Sequence, residues 1–303
     1  MRGRTRTHGS ARPHGYTRPH GYTRPHGYTR WSAFREAGLW VPAIPVLAPV
    51  YFVVTTAFKT PAEAAGSSFA PPSSPTAANL SQAWEQAGGG TVSFGQALFN
   101  SVLTTGAVVL LLVLTAAPAG YALARRTSRL SGLLSGLFML AMIMPVQLGV
   151  IPLYVFLVDT GLAGTRVGLI LVYLGLQTPL AVFLYAGFIR GLPTAYEEAA
   201  RVDGASSLRI LAQIVFPLVR PATGVVAALT GLFVWNDFFV ALAVVGGTDR
   251  VTLPVAVYSL VGRFSADWPL IFAGALIALG PVLAGFAFLQ RTVMKGYVST
   301  LRG

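Results

Sequence analysis

Four polar side chains lie within long apolar segments of this chain, where a charge or an amide is costly and often functional. Asp237 is the only acid in these segments, and Asn236 stands beside it. Gln147 comes shortly after a proline, and Gln177 shortly before one. These four residues are candidates for a substrate path. The alternative is that they form hydrogen bonds between neighbouring helices.

The sequence lacks the motifs of common catalytic chemistry. It contains no Gly-x-x-x-x-Gly-Lys-Ser/Thr loop to bind ATP phosphates, no His-Glu-x-x-His and no Gly-x-Ser-x-Gly. With no cysteine, it can form neither a disulfide nor a thiolate metal site. An intramembrane enzyme would need a paired acid and base or a metal cluster, and the apolar segments contain one aspartate and no histidine. We therefore predict a non-enzymatic protein with no cofactor and no metal site.

The elements that must position the four polar residues are membrane helices. Of the 303 residues, 54% are hydrophobic and only 11% are charged, whereas soluble domains carry about 25% charged residues. A transmembrane helix needs about 20 mostly apolar residues. The pattern predicts an all-α polytopic membrane protein with six spans: Leu39–Phe58, Leu98–Ala122, Leu133–Val158, Val167–Phe188, Ala222–Val245 and Pro269–Leu289.

The basic residues are distributed unevenly between the two sides of these spans. Of the 22 lysines and arginines, four fall on one side: Lys59, Arg166, Arg250 and Arg263. The other 18 flank the opposite side, which the positive-inside rule assigns to the cytoplasm. We therefore expect a multi-pass protein of the plasma membrane with both termini in the cytoplasm. Topology explains the net charge of +12, so no nucleic-acid partner is predicted.

The N-terminal segment has a composition that does not favour folding. Arg-Pro-His-Gly-Tyr-Thr occurs three times in succession, from residue 12 to residue 29. Proline and glycine in each repeat, and no apolar face, predict a disordered basic tail over residues 1–36. The repeated histidines could instead bind a metal, which is the less favoured reading. A six-span domain over 37–296 and a short tail over 297–303 complete the predicted organisation.

A polar stretch between the fourth and fifth spans predicts two short helices. Thr194 and Glu197 fit a capping box, in which each side chain accepts a hydrogen bond from the other residue's backbone N–H. A helix should begin at about Thr194, and Asp203-Gly204 should end it because glycine tolerates a sharp turn. A second helix is expected from about Ser206 to Pro217. We call residues 191–216 the 191–216 loop.

This stretch resembles the EAA loop of the membrane subunits of binding-protein-dependent ABC importers. The resemblance rests on Glu-Ala-Ala at 198–200, Asp-Gly-Ala at 203–205 and Pro-Leu-x-x-Pro at 217–221. It also covers Asn100-Ser101 at the start of span two, Met144-Pro145 in span three, Trp235–Phe238 in span five and a Lys295-Gly296 ending. Together these motifs are similar to those of the smaller, six-span subunit of maltose and oligosaccharide importers. Seven residues follow Gly296, which departs from the family's ending.

The resemblance implies a permease subunit of an ATP-driven sugar importer. Its expected partners are a second permease, an ATP-binding cassette ATPase dimer that binds the ATP, an extracytoplasmic sugar-binding protein, the sugar and membrane lipid. The loop, mainly over residues 194–214, would dock on the ATPase, and the implied docking residues are Glu197, Glu198, Ala199, Ala200, Asp203 and Gly204. The alternative is a self-sufficient secondary transporter, a class that usually contains inverted repeats. We find no matching halves in this sequence.

Overall fold

The computed structural model describes residues 30–86, 92–261 and 267–300. All of the regular secondary-structure elements in these ranges are helices. The predicted all-α class is therefore confirmed. In chain order the first seven helices are α1 (Arg30–Ala57), α2 (Pro61–Gly66), α3 (Ala78–Gln86), α4 (Phe94–Arg125), α5 (Arg129–Ile143), α6 (Val146–Asp159) and α7 (Arg166–Arg190).

The second half of the chain has shorter elements before its final long helix. They are α8 (Ala195–Val202), α9 (Ser207–Ile210), a π-helical segment (Leu211–Val215), α10 (Phe216–Leu218), α11 (Arg220–Asn236), α12 (Phe239–Val245), α13 (Leu253–Tyr258) and α14 (Trp268–Thr300). A single π-helical turn of this kind often marks a functional position.

The described residues divide into two units, residues 30–49 and the described residues from 50 onward. The first unit contains the proline-rich part of α1, with Pro42, Pro45 and Pro49 inside the helix. Helix α1 begins at Arg30, so residues 30–36 are helical. The prediction that these seven residues belong to a disordered tail is therefore corrected. The three hexapeptide repeats and all four histidines lie outside the described residues.

The centre of the second unit is the contact of α4, α7 and α11. Gly120 of α4 lies against α7, where an added Cβ atom would come within 2.6 Å of the Tyr185 Cβ atom. Small residues permit this close approach of two membrane helices. Around it, Leu112, Val182 and Val226 are buried with many other apolar side chains. This packing fixes both ends of α4, which matter for the site.

The described helices match the six predicted spans only in part. Three are long and apolar enough to cross a membrane singly: Phe94–Arg125, Arg166–Arg190 and Trp268–Gly285. The predicted third span is two helices, α5 and α6, bent by 101° at Met144-Pro145. The predicted fifth span is also interrupted, because α11 ends at Asn236 and α12 begins at Phe239. A second bent pair, Ser207–Leu218 with Arg220–Asn236 at 76°, precedes that interruption, and counting each of the two bent pairs as one span gives up to five spans among the described residues.

Candidate functional site

Two short helices separated by a sharp turn form most of the 191–216 loop. After α8 ends at Val202, Gly204 adopts a φ of +80°, a conformation that glycine accepts without steric cost. The Ser206 hydroxyl then accepts a hydrogen bond from the Arg209 backbone N–H at 3.4 Å and caps α9. The helix, the turn and the second helix thus occur where the sequence predicts them.

The start of α8 differs from the predicted capping box. Thr194 already has helical backbone angles, and its side chain forms no capping hydrogen bond. The Glu197 N–H donates instead to the Thr194 carbonyl oxygen at 2.9 Å. The capping-box prediction is therefore wrong, because the Glu197 carboxylate has charged partners elsewhere in the fold.

Glu197 lies at the centre of a buried polar network and is only 2% exposed. The Arg125 Nε–H donates to its Oε1 atom at 2.7 Å, and the Tyr121 hydroxyl donates to Oε2 at 2.8 Å. Arg201, one helical turn along α8, approaches Oε2 at 3.3 Å. Arg125 also donates to the Leu192 carbonyl oxygen at 3.1 Å. These bonds attach the loop to the end of α4.

This network satisfies both charges of a buried ion pair. The side chains of Arg125 and Glu197 are 15% and 3% exposed, and removing one partner of such a pair usually costs about 3–5 kcal/mol. Tyr121 and Arg125 are four residues apart, so they share one face of α4. This spacing could have predicted a polar face on α4. No pattern in the neighbouring sequence, however, identified Glu197 as the residue that this face contacts. Glu197 therefore belongs to the inner face of the loop.

The outer face of the loop carries exposed apolar side chains beside polar ones. Val202 is 88% exposed, Leu208 77% and Tyr196 58%. Of the six residues implied in docking, Glu198, Ala199, Asp203 and Gly204 are also exposed. Ala200 is half-buried and packs against the hydrophobic core. A cluster of exposed apolar side chains on a short polar loop is typical of a protein-binding surface.

Asp237 lies at the break between α11 and α12, outside both helices. Its Oδ2 atom accepts hydrogen bonds from the Tyr173 hydroxyl at 2.9 Å and from the backbone N–H groups of Val240 and Ala241 at 3.1 Å each. The carboxylate thereby caps α12 and ties the break to α7. This arrangement corresponds to the alternative of bonding between helices.

The other three candidates for a substrate path are separate from Asp237. Gln177 is buried in α7, whereas Gln147 in α6 and Asn236 at the end of α11 are exposed. The Asn236 amide donates to the Leu232 carbonyl oxygen of its own helix at 2.8 Å. No hydrogen bond joins any of these four described residues to another. Among the described residues, no three His, Asp or Glu side chains cluster closely enough to hold a metal ion.

The opposite end of α4 is held by a second polar cluster that the sequence analysis did not identify as a contact. The Asn100 amide donates to the carbonyl oxygens of Asp249 and Val251, both at 3.0 Å. The Ser101 hydroxyl accepts from the Leu253 N–H at 2.7 Å. Arg166, at the start of α7, donates to the Asn100 side-chain oxygen at 2.6 Å. Asn100 and Ser101 therefore attach α4 to the connection between α12 and α13. We call residues 246–253, which include the first residue of α13, the 246–253 loop.

Comparison with known proteins places this geometry in a family. Residues 116–298 match the family model described as the binding-protein-dependent transport system inner membrane component. The melibiose/raffinose/stachyose import permease protein MelC of Bacillus subtilis is 35% identical, over 83% of this chain and 89% of its own length. The probable starch degradation products transport system permease protein AmyC of Thermoanaerobacterium thermosulfurigenes is 30% identical, over 84% of this chain and 90% of its own length.

A solved structure supports the same fold. A bacterial ABC transporter involved in the import of the acidic polysaccharide alginate contains a chain that superposes with a TM-score of 0.72. The match covers 87% of this chain and 98% of that one, at 20% identity. From the matched family region and the similarity to MelC, this chain belongs to the family of binding-protein-dependent transport system inner membrane components.

Proposed function

We propose that this chain is a permease subunit of an ATP-driven, binding-protein-dependent sugar importer. Relatives named as import permeases for melibiose, raffinose and stachyose and for starch degradation products support a carbohydrate substrate. The chain would form half of a translocation pathway with a second permease. It would perform no catalysis, and a partner ATPase dimer would bind the ATP.

The observation that carries the proposal is the two-sided structure of the 191–216 loop. Its inner face is attached to α4 through Glu197, while Tyr196, Val202 and Leu208 are exposed on its outer face. A loop that is firmly held on one side and apolar on the other is suited to receive a force from another protein. We assign the outer face to the ATPase, and this face includes Glu198, Ala199, Asp203 and Gly204 as well as the three exposed apolar side chains.

The proposed orientation places the Arg125 end of α4 in the cytoplasm. The loop carries Arg201 and Arg209, and 18 of the 22 basic residues fall on its side of the predicted spans. The positive-inside rule supports this assignment. The Asn100 end and the 246–253 loop would then face the extracytoplasmic binding protein, and both termini would lie in the cytoplasm of a plasma-membrane protein.

For the substrate path, we retain Gln147 and Asn236 as candidates because both amides are exposed on this subunit. Asp237 is better explained as a structural tie. An Asp237→Leu substitution would leave two backbone N–H groups and the Tyr173 hydroxyl without their acceptor, so we expect a lower yield of assembled complex. Asp237→Asn, which keeps one oxygen acceptor, should recover much of that yield in size-exclusion chromatography. Normal assembly of the leucine variant with lost uptake would instead assign Asp237 to the path.

Sugar uptake tests the function directly. The gene should be disrupted in its host, and uptake of labelled melibiose, raffinose, stachyose and maltodextrins measured with and without the restored gene. Loss of uptake of at least one of these sugars, and its recovery with the gene, is expected. Unchanged uptake of all of them would contradict the proposal for these oligosaccharide classes.

The docking assignment can be tested by single-cysteine cross-linking, because the chain contains no cysteine. Val202→Cys on the outer face of the loop should cross-link to the ATPase in the purified transporter complex. Gln82→Cys, at an exposed position of α3, is the matched control and should not. Equal cross-linking from both positions, or none from position 202, would contradict the docking surface.

A further inference from the structure

The two polar clusters at the ends of α4 suggest a role for the helix itself. One cluster attaches the 191–216 loop to Tyr121 and Arg125, and the other attaches the 246–253 loop to Asn100 and Ser101. The whole of α4 has 32 residues, and the stretch from Asn100 to Arg125 spans about 38 Å at 1.5 Å per residue. One continuous helix therefore joins two loops that lie at opposite ends of it.

The hydrogen bonds at the Arg125 end of α4 are suited to transmit a displacement of α8 to α4. They join side chains to side chains and involve a carboxylate and a guanidinium, and such charge-assisted hydrogen bonds are stronger than neutral ones. Glu197 belongs to α8 and is 72 residues from Arg125 in sequence. Movement of α8 must therefore either carry the end of α4 with it or break a buried ion pair, which is strongly unfavourable.

The bonds at the Asn100 end point to where the movement arrives. Asn100 is fully buried, and its amide donates to the carbonyl groups of Asp249 and Val251 in the 246–253 loop. Arg166 donates to the same Asn100 side chain and links this cluster to α7. A displacement of α4 along its axis would therefore act on the 246–253 loop.

We propose that Glu197 is a positioning residue that couples the 191–216 loop to α4, and that α4 transmits the loop's displacement to the 246–253 loop through Asn100 and Ser101. This inference rests on the proposed function, in which the ATPase acts on the first loop and the binding protein faces the second. It assigns to Glu197 a mechanical role separate from contact with the ATPase.

The test is the stimulation of ATP hydrolysis by sugar-loaded binding protein in the purified complex, reconstituted in lipid. Tyr121→Phe removes one hydroxyl that donates to Glu197 and preserves the ring. Tyr185→Phe is the matched control, since it removes a hydroxyl that bonds Thr223 at 3.1 Å, a residue outside both loops. We expect Tyr121→Phe to reduce the stimulation at least about fivefold, the lower end of typical allosteric coupling, with basal hydrolysis unchanged. Stimulation equal to that of Tyr185→Phe would overturn the proposal.

A second pair of variants tests the charge itself. Arg125→Ala removes the partner of Glu197, whereas Arg126→Ala removes a neighbouring exposed arginine from the same helix end. Only the first should uncouple hydrolysis from the binding protein, and the exchange Arg125→Glu with Glu197→Arg should restore part of the stimulation. Normal stimulation in assembled Arg125→Ala would overturn the proposal, and if that variant does not assemble, the tyrosine pair decides.

The same assay separates this inference from the proposed function. If the wild-type chain assembles with no ATPase, the proposed function fails and the inference fails with it. If the wild-type complex is stimulated normally and each variant behaves like its control, the proposed function stands and only the role of α4 is rejected.

Discussion

The two ends of α4 are attached to their loops by different chemistry. At the Arg125 end, a guanidinium and a phenol both donate hydrogen bonds to one carboxylate, that of Glu197. At the Asn100 end, an amide and a hydroxyl bond mainly to backbone groups of the 246–253 loop. The first attachment depends on the identity of residues on both sides, while the second depends almost entirely on α4.

This difference shows how each attachment would respond to change. A backbone carbonyl is present whatever the side chain, so most substitutions in the 246–253 loop preserve its bonds to Asn100. The Arg125 end has no such tolerance, because loss of Glu197 leaves the Arg125 guanidinium without a carboxylate, and loss of Arg125 leaves Glu197 with only the longer contact to Arg201. We therefore expect single substitutions at the Arg125 end to have the larger effects on stability.

The largest effect should follow from Glu197→Leu. The substitution leaves the Arg125 guanidinium buried without its carboxylate and removes the acceptor of the Tyr121 hydroxyl. We expect a loss of about 3–5 kcal/mol in the free energy of unfolding, as for other broken buried ion pairs. Thermal unfolding of the purified chain in detergent would measure the loss as a lower melting temperature.

Glu198→Leu is the matched control for this measurement. The two glutamates are adjacent, but Glu198 is exposed and makes no hydrogen bond through its side chain within the described residues. Exposed substitutions usually change stability by less than about 0.5 kcal/mol. Similar melting temperatures for the two variants would mean that the ion pair contributes little and that the two ends of α4 are equivalent.

Gly204→Val should have the next largest effect, confined to the loop. Gly204 has a φ of +80°, and no atom lies within 4 Å of where a Cβ atom would stand, so the obstacle is conformational and not spatial. A left-handed conformation costs an ordinary residue about 1–2 kcal/mol, and a β-branched one is especially unsuited. We expect transport to be lost while membrane insertion is retained.

Gly204→Asn provides the control, since asparagine enters the left-handed region more readily than other residues with side chains. Uptake and the amount of membrane-inserted protein should be measured for both variants. Asparagine should preserve more uptake than valine at equal abundance. Normal uptake by a well-expressed valine variant would show that the turn is not needed to hold α8 and α9 in place.

The two ends also differ in how far the sequence could predict them. Asp203-Gly204 and Ser206 predicted the turn and the second helix of the loop, because glycine and cap preferences are local. The inward direction of Glu197 could not be predicted, since its partner Arg125 is distant in sequence and contact between them requires the folded packing of α4 and α8. Asn100 and Ser101 were identified only as part of a family motif. Their partners could not be predicted, because they are backbone groups, and the side-chain types of the 246–253 loop do not indicate which backbone groups form hydrogen bonds.

The break at Asp237 illustrates the same limit within a span. Its apolar surroundings predicted one continuous helix over Ala222–Val245, since hydrophobicity alone cannot reveal where a helix is interrupted. The structure shows the carboxylate capping α12 and accepting from Tyr173, which compensates the interruption. A lone acid in an apolar segment predicted a polar partner for Asp237, but it did not distinguish a structural cap from a substrate contact.

At the Asn100 end, Ser101→Ala should have a smaller effect than either change in the 191–216 loop. It removes one acceptor and leaves the buried Leu253 N–H without its 2.7 Å partner. We expect a loss of about 1 kcal/mol, the usual size of one hydrogen bond, and faster hydrogen exchange of that amide. A melting temperature reduced as much as in Glu197→Leu would contradict the distinction between neutral and charged attachments.

The smallest predicted effect is a pH dependence of the stability of the segment between α1 and α4. In the proposed orientation, this segment lies on the same side of the membrane as the 246–253 loop. The half-buried Glu63 accepts hydrogen bonds through its carboxylate from the Ser73 hydroxyl and from the backbone N–H groups of Thr60, Ser73 and Ser74. The bond from the Ser73 hydroxyl is the main cause that lowers the Glu63 pKa below its ordinary value of 4.5.

Because the folded pKa is the lower one, ionised Glu63 stabilises the fold above pH 4.5, and this contribution is lost as pH falls through the folded value. The bonds of Asn100 and Ser101 to backbone groups involve no titrating group and have no such dependence. Hydrogen exchange, corrected for intrinsic rates, should therefore show the amides of Ser73 and Ser74 losing protection as the pH falls below 4.5, while that of Leu253 is unchanged. In Glu63→Gln, whose amide cannot titrate, the acid-induced loss at Ser73 and Ser74 should disappear. Equal loss of protection in both proteins would mean that acid acts on this segment through another group.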